Sequence, residues 1–250
     1  MSAQAARKTK PHTRGRQGRA GRPMTLSIDI GGSGLKAAVL DPRGRMVSGR
    51  VRVKTPSPAP PRAVLPALDE LVAQLPAFDR VSVGFPGVVR DGRILTAHNL
   101  GTDAWRGCRL ADALARRWSK PVRVANDADV QGLGVVRGKG VEMVITLGTG
   151  LGSALFEHGR LLPHLEFAHH PVAKGKTYEQ YLGNGAVKKI GRKRWNRRVE
   201  RAVVLLRALV TFDRLYIGGG NARLIRFTPD RDVRIVSNRA GILGGIALWR

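Results

Sequence analysis

The chain has 250 residues, and its 44 Lys and Arg residues against 18 Asp and Glu residues give a formal net charge of +26. Such a charge predicts polyanionic partners, namely nucleic acid, an anionic membrane surface or polyphosphate. The single cysteine, Cys108, excludes an intramolecular disulfide bond and a Cys-rich zinc site. There is no 18-residue uncharged apolar segment and no secretory signal, so we expect no membrane span and a cytoplasmic location.

The first half of the chain is predicted to be a mixed α/β unit behind a basic tail. Residues 1–23 carry seven basic residues and no acidic one, which predicts a disordered tail. Three strands, a helix, a buried strand, a second helix and a further strand follow, and a helix capped by Asn126 or Asp127 ends the series. In chain order the first seven of these elements are predicted at 26–30, 35–41, 46–54, 63–75, 80–85, 110–118 and 122–125.

The second half repeats this organisation, with strands first and helix–strand alternation afterwards. The strands are predicted at 142–146, 152–157, 160–162, 215–217 and 233–236, and the helical segments at 178–211 and 240–248. Such a repeat predicts two similar α/β lobes around a cleft.

Two glycine-rich turns lie between apolar runs, so each predicts a tight β-hairpin with exposed backbone N–H groups. The first is Gly31-Gly32-Ser33-Gly34, and the second is Gly148-Thr149-Gly150-Leu151-Gly152. Successive N–H groups in such turns bind anions, and two turns facing each other across a cleft would hold a phosphoryl donor. The first turn is not a P-loop, because it lacks the Gly-Lys-Ser/Thr ending, and Ala37 breaks the dinucleotide-binding pattern. A purely structural hairpin is the alternative.

A second concentration of cations predicts either a solvated helix face or a surface that binds a polyanion. Glu200 is the only acidic residue nearby, so the segment repels itself unless an anion compensates it. The residues of this basic patch are Lys188, Lys189, Arg192, Lys193, Arg194, Arg197 and Arg198.

The order of these motifs resembles that of the ROK family of sugar kinases. The resemblance rests on the two glycine turns, Asn126-Asp127, Glu166-Phe167-Ala168-His169 and Gly218-Gly219-Gly220, and it covers the chain from about residue 26. Within the family the segments 84–89, 146–156 and 238–242 are similar to those of polyphosphate glucokinases. The resemblance implies the two-lobed actin-like ATPase (ribonuclease H-like, sugar kinase) fold. We expect an N-terminal lobe at 24–126, a C-terminal lobe at 127–237, and a helix at 238–250 that packs back on the first lobe.

By this resemblance Asp127 is the catalytic base that accepts the proton of the sugar hydroxyl, and Asn126 binds the sugar. A carboxylate at the end of a strand in an α/β lobe points into the cleft, as this role requires. A simple helix cap by the pair is the alternative, and Asp129 is the local competitor for the base. Asp29 is expected to help hold Mg²⁺ through water, and Lys36 to approach the donor phosphates with the glycine turns.

The resemblance also assigns sugar-binding residues. Glu166 and His169 would receive sugar hydroxyls, as would Asn99, and Glu179 is either a further sugar ligand or a surface helix residue. Trp105 would flank the sugar or pack in the core. Read without the family, Glu166 and His169 with His164 and His170 would indicate a metal, an alternative that the missing cysteines disfavour.

We therefore predict a glucokinase that uses polyphosphate, and ATP as a possible second donor, with Mg²⁺ and as a homodimer. Two alternatives stay open at this point. The first is an ATP-dependent ROK hexokinase of other sugar specificity. The second is a ROK-like regulator that binds nucleic acid, for which the basic tail would provide weak binding.

Overall fold

The computed structural model describes residues 23–237 and 239–250, so the predicted disorder of the basic tail lies outside the described residues. The strands are β1 to β14 in chain order, at Thr25–Gly31, Gly34–Leu40, Val51–Val53, Arg80–Phe85, Val89–Arg90, Arg93–Ile94, Val122–Asn126, Val141–Leu147, Leu151–Glu157, Arg160–Leu161, Pro171–Ala173, Lys176–Thr177, Arg214–Gly218 and Val233–Ile235. The helices are α1 to α7, at Pro61–Val72, Thr102–Trp105, Leu110–Trp118, Asp127–Leu133, Tyr178–Leu182, Asn184–Val210 and Ala240–Leu243. No helix of the described residues is long and apolar enough to cross a membrane.

The first sheet has the strand order β3-β2-β1-β4-β7. Its β1 strand is antiparallel to β2 and parallel to β4, and β4 is parallel to β7. The central strands are apolar and buried on both faces, as parallel strands between helices are. Leu68 of α1 and Leu114 of α3 belong to the same buried core as Ile28 and Val83.

The second sheet has the order β10-β9-β8-β13-β14, so each sheet starts with an antiparallel hairpin and continues with parallel strands. Trp195 of α6 is fully buried against this sheet, together with Met143, Ile145 and Leu215. Two sheets with the same order of strands confirm the repeat that the sequence predicts.

Three predicted elements differ from the structure. The third strand is only Val51–Val53, because residues before it form turns and only Met46 bridges back to Leu40. The helical segment 178–211 is divided at Gly183 and bends at Gly191, whose φ of 74° is the left-handed region open to glycine. The terminal helix is a short α-helix followed by a 3₁₀ segment, Gly244–Trp249.

The C-terminal segment packs back on the first sheet. Ser27 Oγ donates a hydrogen bond to the Ile242 carbonyl at 2.7 Å, and Ser82 Oγ donates to the Gly245 carbonyl at 2.5 Å. Trp249 Nε1 donates to Ser82 Oγ at 2.8 Å. A Cβ at Gly245 would lie 2.8 Å from Ser27 Cβ, so the close approach requires glycine.

Candidate functional site

A cleft of about 1060 Å³ lies between the two sheets and is lined by residues of both. The two glycine turns, the end of β7 and the loop before α5 all contribute to its walls. The sequence-predicted residues brought together in the cleft are Asp29, Gly31, Gly32, Ser33, Lys36, Asn99, Asn126, Asp127, Gly148, Thr149, Gly150, Gly152, Glu166, His169 and Glu179.

The first glycine turn closes the β1–β2 hairpin, with Gly31 opposite Gly34. Asp29 and Lys36 are cross-strand neighbours behind it, and Lys36 Nζ lies 2.7 Å from Asp29 Oδ2. Thr55 Oγ1 donates to the Gly31 carbonyl at 2.5 Å and ties the turn to the chain after β3. The turn therefore presents its backbone to the cleft next to one ion pair.

The second glycine turn closes the β8–β9 hairpin and is tied down from both sides. The Gly148 carbonyl accepts a hydrogen bond from the Asn184 backbone N–H at 3.0 Å and one from Asn221 Nδ2 at 3.1 Å. Thr146 Oγ1 accepts the Gly152 N–H at 3.2 Å. The turn is therefore anchored at the cleft wall by Asn184, the first residue of α6, and by Asn221, which follows β13.

Asn126 ends β7 and caps α4, as one alternative from the sequence predicts. Its Oδ1 accepts the backbone N–H groups of Ala128 at 2.8 Å and Asp129 at 3.3 Å, and its Nδ2 donates to the Gly87 carbonyl at 3.1 Å. Asp127 follows immediately; its Oδ1 accepts the Ala128 N–H at 2.9 Å, and the residue lines the cleft.

Asp127 is partly buried at the base of the cleft, and its pKa is raised to about 7. Burial is the largest cause, and the negative charges of Asp29 and Asp129 add to it. The Ala128 N–H and the charge of His164 act in the opposite direction. A carboxylate with a pKa near neutrality can both take up and release a proton at physiological pH, which is the property of a general base.

Asp129, the competitor for the role of catalytic base, is paired with His164. The His164 side chain is 8 % exposed, and its Nδ1 lies 3.2 Å from Asp129 Oδ1 while its Nε2 lies 2.8 Å from Glu166 Oε1. Burial lowers the pKa of His164, but the hydrogen bonds to the two carboxylates outweigh it and raise the pKa to about 9. The hydrogen bond from His164 lowers the pKa of Glu166. The buried imidazolium therefore holds Glu166 ionised and aligned.

His169 lies between two carboxylates, with Nε2 3.5 Å from Glu166 Oε2 and Nδ1 3.9 Å from Glu179 Oε2. Its ring lies against His98, with ring centroids 4.1 Å apart. Ligand atoms of His98, Glu166 and His169 lie within 4.8 Å of one another, so this group could hold a metal ion as well as a sugar. Glu179 lines the cleft, so the alternative of a plain surface residue does not describe its position.

Asn99 packs against the first glycine turn, since a Cβ at Gly32 would lie 3.1 Å from Asn99 Cβ. Trp105, by contrast, is fully buried, packs on Phe85 and donates its Nε1 hydrogen to the Ala59 carbonyl at 2.8 Å. Core packing is thus the correct alternative for Trp105.

The basic patch on α6 lies outside the cleft. Six of its seven side chains are exposed, while Arg198 stacks on the Tyr181 ring at 4.4 Å and donates to the Tyr181 carbonyl at 3.2 Å. Arg198 is therefore part of the packing of α5 against α6. The helix starts at the cleft, because Asn184 lines it and Asn184 Oδ1 accepts from Asn221 Nδ2 at 2.7 Å.

Several cleft residues were missed by the motif analysis, namely His98, Gln131, Arg50, Arg52 and Arg223. Gln131 is 4 % exposed, and its Nε2 has no hydrogen-bond partner among the described residues. No local motif marks these positions. The chain is so rich in cations that its sequence does not distinguish the arginines that line the cleft. Arg52 is placed there by the register of β3 on β2, while Arg50 lies just before β3 and Arg223 lies after β13.

The model of the ROK family matches residues 25–164. The polyphosphate glucokinase of Mycobacterium leprae (strain TN) is 34% identical over 232 residues, which cover 89% of this chain and 70% of that protein. The polyphosphate glucokinase of Mycobacterium tuberculosis (strain CDC 1551 / Oshkosh) is 31% identical over 245 residues, covering 94% and 90%.

Solved structures show the same architecture. The inorganic polyphosphate/ATP-glucomannokinase from Arthrobacter sp. strain KM superimposes with a TM-score of 0.82 and 31% identity, over 91% of this chain and 99% of that one. A ROK family glucokinase from Streptomyces griseus, in complex with glucose and AMPPNP, gives a TM-score of 0.71 at 23% identity, over 90% and 98%. The predicted two-lobed actin-like fold is confirmed by these likenesses.

Proposed function

This chain belongs to the ROK family, and from that premise we propose that it transfers a phosphoryl group from inorganic polyphosphate, or from ATP, to the 6-hydroxyl of glucose. The observation that carries the proposal is the position of Asp127, whose carboxylate has a pKa of about 7 and lines the same cleft as both glycine turns. The names of the similar proteins support the choice of donor and sugar.

In this proposal Asp127 accepts the proton of the 6-hydroxyl as the sugar oxygen attacks the terminal phosphorus. Glu166, held ionised by His164, accepts hydrogen bonds from sugar hydroxyls, and His169, Asn99 and Glu179 complete the sugar site. These groups fix the attacking oxygen, and phosphoryl transfer depends mainly on such positioning and on charge neutralisation.

The backbone N–H groups of the two glycine turns bind the donor phosphates in this proposal. Lys36 adds a positive charge on the same side. Asp29 Oδ2 lies 2.7 Å from Lys36 Nζ and neutralises part of that charge. The full charge of Lys36 acts on the donor phosphates once a bound anion or cation separates the ion pair. Closure of the cleft on both substrates would exclude water and suppress hydrolysis of the donor.

The carboxylates of the cleft fit a magnesium ion. Mg²⁺ prefers oxygen ligands and keeps several waters, and Asp29 offers a carboxylate that is 23% exposed beside the first glycine turn. Asp29 would hold the ion through water, and the ion would neutralise charge on the donor phosphates. The nitrogen-rich group of His98, Glu166 and His169 suits Mg²⁺ less well.

We also propose that the α6 basic patch binds the distal part of long polyphosphate. Its exposed members have no acidic partner within 4.0 Å in the described part of the chain. The lobe boundaries at 24–126 and 127–237, the homodimer and weak nucleic-acid binding by the tail stay predictions.

A panel of donors tests the proposal. Rates with glucose are measured for ATP, tripolyphosphate and long polyphosphate. Replacing Arg192, Lys193, Arg194 and Arg197 by Gln should weaken the use of long polyphosphate and spare ATP, because only a long polyanion reaches the patch. Replacing Arg43, Arg45, Arg62 and Arg90 by Gln changes the net charge equally at exposed positions off the cleft, and serves as the control.

Equal losses with ATP and long polyphosphate in the α6 variant would contradict the role of the patch. If polyphosphate is no donor at all, the chain is an ATP-dependent hexokinase instead. Deleting residues 1–23 should reduce retention of DNA and leave glucose phosphorylation nearly unchanged; loss of phosphorylation would give the tail a role in the enzyme.

A further inference from the structure

Three charged side chains form a row across the first sheet where it meets the cleft. The strand registers place Asp29 of β1 opposite Lys36 of β2, and Lys36 opposite Arg52 of β3. Side chains directly opposite on antiparallel strands are about 5 Å apart at Cβ, and like charges there are destabilising. Lys36 and Arg52 carry two positive charges and Asp29 carries one negative charge, so the row has a net positive charge.

Two further arginines increase this excess. Arg50 precedes β3 by one residue and lines the cleft beside Arg52. Arg223 lines the cleft from the second sheet's side, in the turn after β13. In the part of the chain that the structure describes, none of these three arginines has an acidic partner within 4.0 Å.

These cations flank the two glycine turns. The Arg52 guanidinium donates to the Ser33 carbonyl at 3.2 Å and lies over Gly34, where a Cβ would be 3.0 Å from Arg52 Cζ. Arg223 follows Asn221, which donates to the Gly148 carbonyl at 3.1 Å. A phosphate chain bound between the turns would therefore have guanidinium groups on both sides.

We propose that Arg50, Arg52 and Arg223, with Lys36, form an anion clamp for the donor phosphates that lie behind the transferred one. The inference deepens the proposed function and rests on it for the identity of the donor. Guanidinium groups bind phosphate oxygens with charge-assisted, often bidentate hydrogen bonds. The clamp recognises phosphate groups rather than the adenine of a nucleotide, so it binds polyphosphate and ATP by the same contacts.

The clamp differs from the α6 basic patch in the length of donor that it needs. Its residues line the cleft itself, where a donor of any length would place its first phosphates, whereas the patch lies outside the cleft. Removing the clamp should therefore weaken the binding and use of all three donors, tripolyphosphate, ATP and long polyphosphate. Removing the patch should weaken only the long polymer.

The test is a double variant, Arg52→Gln with Arg223→Gln, in the full chain. Its matched control is Arg43→Gln with Arg231→Gln, which removes two exposed cations that do not line the cleft. The KM for tripolyphosphate should rise about tenfold or more in the clamp variant, while the KM for glucose stays within about twofold. The slope of the KM for long polyphosphate against salt should become shallower, because fewer cations are engaged.

Calorimetric binding of tripolyphosphate without sugar separates the clamp from the proposed function. If the wild-type protein phosphorylates no sugar but binds tripolyphosphate, and the clamp variant binds it about tenfold more weakly or worse, the clamp stands and the glucokinase proposal fails. If the clamp variant matches its control in both the dissociation constant and the KM, the clamp is wrong whatever the activity. Unfolding curves of both double variants establish that the comparison is between folded proteins.

Discussion

The two sides of the cleft are built in opposite ways. On the side proposed to bind the sugar, Asp129, His164, Glu166 and His169 make a connected set of contacts, and the His164 imidazole is almost completely buried. On the side proposed to bind the donor, Arg50, Arg52 and Arg223 are exposed and lack acidic partners within 4.0 Å among the described residues. The first side is organised by contacts within the protein, whereas the cations of the second side would be neutralised by a bound anion.

Under the proposed function, this difference lets one cleft combine a selective sugar site with a permissive donor site. A fixed network rejects a sugar that does not match its hydrogen bonds, because buried polar groups would be left unpaired. Exposed guanidinium groups adapt to phosphate chains of different lengths. The predictions below alter the organised side and leave the donor side intact, beginning with the largest expected effect.

The Asp127→Asn variant should lower kcat by about 10²–10⁴-fold, because the amide keeps the shape but cannot accept the proton. Steady-state rates with saturating glucose and donor give the value. Asp103→Asn, at an exposed position outside the cleft, is the control. A variant that keeps more than about a tenth of the wild-type kcat would remove Asp127 from the role of base.

The Glu166→Gln variant should raise the KM for glucose by about 10–100-fold and leave the KM for the donor nearly unchanged. The substitution removes the charge-assisted hydrogen bonds that the Glu166 carboxylate is proposed to make with the sugar, and it leaves the residues proposed to bind the donor unchanged. Glu157→Gln, an exposed change at the end of β9, provides the comparison. Elemental analysis of the purified protein should find no stoichiometric zinc; bound zinc on which activity depends would favour the metal interpretation of His98, Glu166 and His169.

The pH profile of kcat/KM, which reports the free enzyme, should show an acid limb with a midpoint near pH 7, since the pKa of Asp127 is raised to about 7 and only its ionised form accepts a proton. Below that midpoint kcat/KM should fall about tenfold per pH unit. An unperturbed aspartate would place the limb near pH 4. A profile that is flat from pH 8 down to pH 5 is the contrary result.

The His164→Gln variant should raise the KM for glucose by about 3–10-fold with a smaller change in kcat, because a neutral amide cannot hold both Asp129 and Glu166. The exposed His170→Gln change is the control. Donor KM values should not move. If they rise as much as the glucose KM, the two sides of the cleft are coupled, and the contrast drawn above is too strong.

The smallest effect concerns stability. Raising the pKa of a carboxyl in the folded state means that its protonated form favours folding, and this contribution is lost as the pH rises from the unfolded pKa near 4 through the folded pKa of about 7. Asp127→Asn should therefore stabilise the protein more at pH 8 than at pH 5, by about 1–3 kcal/mol. Thermal unfolding at both pH values measures it. Equal Tm shifts at the two pH values would show that ionisation of Asp127 is not the cause.

Much of the fold could be predicted from sequence because its signals are local. The strand Arg80–Phe85 and the helix Leu110–Trp118 have the predicted bounds, since an apolar run and a helical period mark them. The third strand was predicted too long, because its apolar residues continue into turns that the alternation of side chains does not reveal. The bend at Gly191 depends on packing of α6 and has no local signature.

The site shows the same limit. Strand ends and glycine turns placed Asp127 and both turns in the cleft, because their position along the chain determines their position in an α/β fold. His164 was considered only as a metal ligand, since its contact with Asp129 spans 35 residues of sequence. Arg52 reaches the cleft through the register of β3 on β2, which pairing alone determines.

The hydrogen bonds of the C-terminal segment have a consequence for synthesis of the protein on the ribosome. Ser27 and Ser82, on two central strands of the first sheet, bond to the carbonyls of Ile242 and Gly245. These partners are translated long after the strands that they cover, so the emerging first sheet keeps one region open while the second sheet is being made. Domains of a nascent chain usually fold one after another from the N-terminus. Here the first sheet to emerge is completed last, by residues that leave the ribosome after all fourteen strands that the structure describes.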